Sequence, residues 1–369
     1  MAADISAHTV LFTGLFDEHG TGREKFRYSN LIALQQIVPD LPVFQFKYNK
    51  QHQLAKLLSL RLDGLHLMSR SAFVDFVRNI PKEGIAFFDG SNYGSAVARL
   101  RSLRPDVHIV VLYHNVESSF FHRAFKQNRR PKSLALAGYY FMQERLVAKY
   151  ADVNIFLTQE DLHIAKQFYP GMRNTEVLPI SVECDGPIRP SADSQLPLNA
   201  LFVGGAFYAN VEAARWLQEA LGDRHDIMLT VVGKGFDRVE GLGADNIRVL
   251  GFVDSLAMYY NASDVVMNTI FSGSGMKTKV AEALYYGKPV VSTRMGINGY
   301  DKIIDKDYIS IFDEKDEFVR IMDAFIERKK GGQITAFYPE AKQDYTMYYS
   351  PAAHVGNLTQ ILQTCLKST

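Results

Sequence analysis

The chain has 369 residues, 47% of them hydrophobic and 22% charged, with 24 Phe and 19 Tyr. That is apolar material for two full cores or one large barrel, and it excludes a small stapled scaffold or a disordered chain. The two cysteines, Cys184 and Cys365, sit in no metal or redox spacing, which excludes a disulfide framework and fits a reducing compartment. The formal net charge of +1 hides a division, with residues 1–196 carrying +4 and the remainder −3.

The first residues lack the basic flank and long apolar stretch of a signal peptide, and no run approaches the roughly 18 apolar residues of a membrane span. A cytoplasmic chain is expected. Short apolar runs bounded by turn residues then recur, each followed by a longer stretch of mixed periodicity, the pattern of repeated β-α units around a parallel sheet. Strands are predicted near residues 9–13, 41–45, 85–88, 108–113, 153–157 and 176–178, with Thr158 capping a helix whose first turn holds Asp161. Residues 179–197 are rich in Pro, Ser and Asp and read as a linker. After it the pattern restarts, with strands near 198–203, 228–232, 247–250, 265–268, 289–292 and 308–312. The predicted organisation is a first domain over 1–180, a linker over 181–197, a second domain over 198–350 and a last helix over 351–369 that crosses back to the first.

Two loops of the second half carry candidate chemistry. In LFVGGAFYANVEAARWLQ, Gly204 and Gly205 lie between a strand and a helix, where missing Cβ atoms let a ligand approach the backbone, and Asn210 is placed to cap the helix. In VVMNTIFSGSGMKTKVAEALYYGKPVVST, Gly273, Ser274 and Gly275 precede a helix carrying Lys277 and Lys279, with Met276 between. Loop N–H groups, a helix N-terminus and two lysines suit a diphosphate. One turn on, Glu282 suits a ribose diol, since one carboxylate accepts from both hydroxyls. The plain alternative is a surface helix with a Lys–Glu pair.

The second half resembles the nucleotide-binding domain of the retaining family-4 (group 1) glycosyltransferases. Its landmarks fall in order: FVGGAFYAN, VVGKGF, NIRVLGFVDSLAMYYNASDVVMNT, the SGSG–Lys–Glu helix and YGKPVVSTRMGINGY. The resemblance implies an α/β GT-B fold, two Rossmann-like parallel-sheet domains facing a central cleft. It further implies Glu282 on the donor ribose, the Gly204–Gly205 loop facing the diphosphate, and Phe252–Val253 at the base. The family's usual first glutamate is replaced by Ser274, and the loop 206–209 lacks the family's phosphate-binding cation, so Lys277, Lys279 or Lys234, with Lys279 favoured, neutralises the leaving diphosphate. The donor expected is a UDP- or GDP-linked sugar, with no metal or other cofactor required.

In the first half, Gly14 and Arg23 lie in a glycine-rich basic loop after the first strand, and Asp89, Asn92, His114 and Asn115 just past strand ends, the edge where ligands bind in open α/β sheets. The resemblance implies that His114 lines the reaction centre and that the others face an acceptor. Retention on one face requires no protein nucleophile. Residues 120–150 interleave aromatic and basic residues, netting +6 over 121–150. This suits peripheral docking on anionic lipid at the inner membrane face, the alternative being an amphipathic core helix with a solvated basic side; nucleic-acid binding would need a more extended patch. The expected reaction is transfer of a sugar to a polysaccharide, oligosaccharide or lipid-linked acceptor of the bacterial surface-glycan type, such as lipopolysaccharide. The competing readings are a nucleotide-sugar 2-epimerase of the same fold and a non-catalytic nucleotide-sugar-binding protein. A dehydrogenase is disfavoured by the missing GxGxxG.

Overall fold

The computed structural model describes residues 5, 8–14, 16, 22–45, 70–184, 186–189, 195–273 and 275–367, without the side chains of residues 22, 23, 25, 70–72, 127 and 128. The chain divides into two compact units, Met1–Ser181 with Pro351–Thr369 and Val182–Ser350.

In the first unit the described elements run β1 (Thr9–Thr13), α1 (Gly22–Ile37), β2 (Val43–Gln45), α2 (Arg70–Asn79), β3 (Ile85–Asp89), α3 (Gly94–Leu103), β4 (His108–Tyr113), α4 (Glu117–Asn128), α5 (Pro131–Tyr150), β5 (Val153–Phe156), α6 (Gln159–Phe168) and β6 (Thr175–Val177). In the second they run β7 (Leu198–Val203), α7 (Tyr208–Leu221), β8 (Ile227–Val232), β9 (Ile247–Leu250), α8 (Ala257–Ala262), β10 (Val265–Asn268), α9 (Thr278–Tyr285), β11 (Val290–Thr293), β12 (Ile309–Phe312), α10 (Lys315–Lys330) and α11 (Pro339–Asp344). Helix α12 (Pro351–Lys367) returns to the first unit, where it packs against α1.

Each unit holds a six-stranded parallel sheet, ordered β2-β1-β3-β4-β5-β6 in the first and β12-β11-β10-β7-β8-β9 in the second. The central strands β1, β3, β4 and β10 are largely apolar and buried along their whole length, as strands covered by helices on both faces must be. Aromatic packing dominates both cores. Phe12 meets Phe76, Phe88 and Tyr93 at centroid distances of 5.0, 5.2 and 4.9 Å, and Trp216 meets Phe271, Phe312 and Phe318 at 5.0, 5.4 and 4.9 Å. Such pairs add to simple area burial.

The second sheet has the strand order of a dinucleotide-binding Rossmann unit, with its switch point between β7 and β10. The corresponding reversal in the first sheet falls between β1 and β3. Ligands of open α/β sheets sit outside the carboxyl ends of the strands flanking such a point. The topology therefore singles out the loops at Gly204 and Thr269 in one unit and at Gly14 and Gly90 in the other, with the His114 loop following the adjacent strand β4.

The strand ends differ from the sequence reading by a residue or two, because the last residue to pair is fixed by its neighbour's register and not by its own apolarity. The linker reading spans a boundary that falls at Ser181. From Val182 onward the chain joins the second unit, where the Val182 amide donates to the Tyr349 carbonyl (3.0 Å) and the Tyr345 hydroxyl to the Val182 carbonyl (2.7 Å).

Candidate active site

In the second unit the loop after β7 is shaped by the loop after β8. The Gly204 amide donates to the Val232 carbonyl (3.0 Å) and the Ala206 amide to the Lys234 carbonyl (2.9 Å). Gly233, at φ 152°, has to be glycine: a Cβ there would stand 1.8 Å from the Gly204 oxygen. The Gly204 N–H is thus spent inside the fold and is not offered to a diphosphate.

Asn210 does not cap α7, whose N-cap is Phe207 with no side-chain cap. It lies in the first turn, where its amide donates to the Gly205 carbonyl (2.8 Å) and its Oδ1 accepts from Lys279 Nζ (3.2 Å). One side chain thereby ties the glycine loop to α9. Lys279 is 6% exposed, and its ammonium lies 3.9 Å from the centroid of the Phe202 ring. Burial pulls its pKa down to about 7, opposed by the charge of Glu282 and assisted by that of Lys277. A lysine held there regains its full charge when an anion arrives.

Helix α9 starts at Thr278, three residues past Gly275, with Lys277 as N-cap and its ammonium donating to the Gly275 carbonyl (2.5 Å). Tyr300 braces this turn by donating to the Lys277 carbonyl (2.8 Å) and accepting from the Ala281 amide (3.3 Å). Glu282 is half-buried; its Oε2 accepts from the Tyr260 hydroxyl (2.6 Å), and the Tyr260 ring stacks on Tyr286 at 5.0 Å. Phe252 is 73% exposed beside half-buried Val253, a free aromatic face. Met276 is half-buried, and Ser274 lies outside the described residues.

In the first unit the end of β3 carries a buried polar knot. The Asp89 side chain accepts from Thr13 Oγ1 (3.1 Å) and Asn30 Nδ2 (3.3 Å), and its Oδ1 stands 2.7 Å from His114 Nε2. Burial alone would raise the Asp89 pKa, but His114, Arg27 and Thr13 together hold it below the ordinary value. An ionised Asp89 accepts from His114 Nε2–H, and in the neutral ring this leaves Nδ1 as the accepting atom. Phe26 packs edge-on against the imidazole at 5.1 Å. Asp89 is therefore committed to the fold of the loop, where the sequence reading had it facing an acceptor. Arg27 lies over Gly14, since a Cβ on that glycine would stand 2.4 Å from the guanidinium. Asn92 and Asn115 are half-buried just past the strand ends; Arg23 lies on α1 with its side chain outside the described set.

Sequence reasoning missed Glu144. It is fully buried on α5 and accepts from the Glu117 amide (2.8 Å), the Ser118 amide (3.2 Å) and hydroxyl (2.6 Å), Ser91 (3.0 Å) and Tyr169 (2.8 Å). Its carboxyl caps the start of α4, directly after the His114 loop, and so holds that loop in place. A carboxylate in the middle of an otherwise basic segment was the available signal. Among the described residues no group of three or more His, Cys, Asp or Glu is arranged to hold a metal ion.

Two six-stranded parallel sheets with flanking helices, each with its switch point, make this an α/β fold of the GT-B type. Residues 197–327 match the model of the family "Glycosyl transferases group 1". No curated protein matches the sequence. Among solved structures, sucrose-phosphate synthase from Thermosynechococcus elongatus superposes with a TM-score of 0.70 at 15% identity, covering 98% of this chain and 100% of the other. HepE of Anabaena, solved with UDP, gives 0.63 at 16% identity over 96% and 100%. A glycosyltransferase from Rickettsia africae gives 0.64 at 12% over 98% and 99%. At these identities the likeness concerns the fold.

Proposed function

We propose that this glycosyltransferase moves a sugar, with retained anomeric configuration, from a nucleoside diphosphate to a hydroxyl of a glycan or lipid-linked acceptor of the surface-glycan type. The observation that carries the reading is the link from the glycine loop through Asn210 to buried Lys279, one helical turn before Glu282. Breaking the anomeric C–O bond builds charge on the departing phosphate, and a preorganised cation in a low-dielectric site stabilises that charge without reorganising. Lys279 fills this role, with Lys277 beside it. Glu282 takes the ribose hydroxyls and Phe252 and Val253 the base. The Gly205, Gly275 and Met276 backbone lines the phosphates and the sugar.

UDP is the first donor nucleotide to test, because HepE was solved with UDP and with UDP-glucose; GDP is the second. On the first unit His114 Nδ1 accepts a substrate hydroxyl, and Gly14, Asn92 and Asn115 surround the acceptor. The enzyme works at the inner face of the membrane. Incubation with UDP- and GDP-sugars, with and without glycan and lipid-linked acceptors, tests this by the release of free nucleotide. Release that depends on acceptor supports transfer. Turnover of the donor without acceptor identifies an epimerase instead, and binding without release identifies a non-catalytic binding protein.

A further inference from the structure

We propose that the exposed face of α5 is a docking surface for an anionic lipid bilayer. The proposal deepens the reading of a membrane-linked acceptor, and it rests on how the structure sorts the residues of the α4–α5 pair.

The aromatic residues that made this segment conspicuous are largely internal. Phe121 stacks on Tyr140 at 5.2 Å and Phe120 packs edge-on against Phe121, so these rings join α4 to α5. The surface is made of other residues. Leu134, Gly138, Phe141 and Arg145 follow one another at spacings of four, three and four, with Ala135, Met142 and Lys149 alongside, which places them on one stripe of about 120°. The opposite side, with Ala137, Gln143, Glu144, Val147 and Ala148, is buried.

On this stripe Leu134 is 49% exposed, Met142 45% and Phe141 36%, and Phe168 of α6, itself 38% exposed, extends it. Gly138 sits in mid-helix with nothing within 4 Å of the place its Cβ would take. Glycine is among the poorest helix residues, and no packing inside the fold requires it there.

Charge selects the occupant. Exposed Arg129, Arg130 and Lys132 flank the apolar stretch at its start, and Arg145 and Lys149 at its end. The two carboxylates between residues 117 and 150, Glu117 and Glu144, are both buried, at 4% and 0% exposure. The surface therefore offers apolar side chains at its centre and cations at both ends, the arrangement of a helix lying in a headgroup layer with its lysines and arginines on lipid phosphates. Among the described residues no helix is long and apolar enough to cross a membrane, so the contact is interfacial.

Flotation of the full chain, without substrate, on phosphatidylcholine vesicles with and without phosphatidylglycerol tests this separately from sugar transfer. The wild type is expected to float with the anionic vesicles only, and less so as salt rises. At about fivefold in affinity for each surface cation, the Arg129→Gln/Arg130→Gln/Lys132→Gln variant should bind about a hundredfold more weakly. Leu134→Ser/Met142→Ser should also weaken binding; Phe141 is left intact because its ring packs on Tyr169 at 5.5 Å. Unchanged melting temperatures establish that the variants fold. Absence of binding to anionic vesicles, equal binding to neutral ones, or a cation variant that floats like the wild type overturns the proposal. So does selective retention on RNA or an acidic protein with no flotation.

Discussion

Replacing Lys279 by Met keeps the length and apolar stem of the side chain and removes its charge. In the free protein burial holds Lys279 near a pKa of about 7, against the usual 10.5. A bound diphosphate supplies the counter-charge that burial withholds. Returning the group to its usual value corresponds to about 5 kcal/mol of linked free energy. Nucleotide binding must then draw a proton onto Lys279 at any pH above 7. At pH 7 half the molecules carry the charge, so titration calorimetry in buffers of different ionisation enthalpy should register uptake of about half a proton. The dissociation constant should rise about a hundredfold between pH 6 and pH 9, since only the protonated form binds well. The terminal phosphate acts in the opposite direction, because it completes its ionisation near about pH 6. Lys279→Met should bind weakly at every pH and lose the slope. A dissociation constant that is flat from pH 7 to pH 9 in the wild type, with no proton uptake, would refute the assignment of Lys279 to the diphosphate.

Three further outcomes follow from the same groups. Glu282→Ala removes charge-assisted bonds to the ribose and should weaken nucleotide binding about ten- to a hundredfold, whereas Tyr260→Phe, which leaves the carboxylate in place, should weaken it far less in the same titration. Asp89→Asn should shift His114 from the Nε2–H tautomer toward Nδ1–H, visible in the ring 15N resonances, and lower turnover at least about tenfold; an Nδ1–H ring already present in the wild type contradicts the Asp89 account. Glu144 is raised by burial from 4.5 to about 7, so the folded state keeps a proton that the unfolded state has lost between those values. Stability should therefore fall by about 3 kcal/mol as pH rises from 4.5 to 7, and denaturant titrations of Glu144→Gln should lack that decline.

The central parallel strands were legible because each is a short, largely apolar run buried on both faces. Lys279 and Glu282 stand out in the sequence because a loop, a helix start and charged residues fall at fixed spacing along one segment. The rest depends on contacts between residues distant in sequence. Asn210 looks like a cap from its position, but its oxygen is taken by Lys279, 69 positions away. Asp89 looks like a ligand residue at a strand end until the register sets it against Thr13 and beside His114. Glu144 reads as a lone acid in a basic helix because its partners come from Ser91, Glu117, Ser118 and Tyr169. Of the aromatic residues of the basic segment Phe141 is exposed, beside Leu134 and Met142, a sorting that depends on how the two helices pack.

The most direct test of the account is to follow the anomeric proton of the transferred sugar by NMR during reaction with a UDP- or GDP-sugar and an accepted glycan. An α-linked donor should yield an α-linked product at the earliest time points, in step with nucleotide release. A β-linked first product, or no product with any donor that the protein binds, would contradict it.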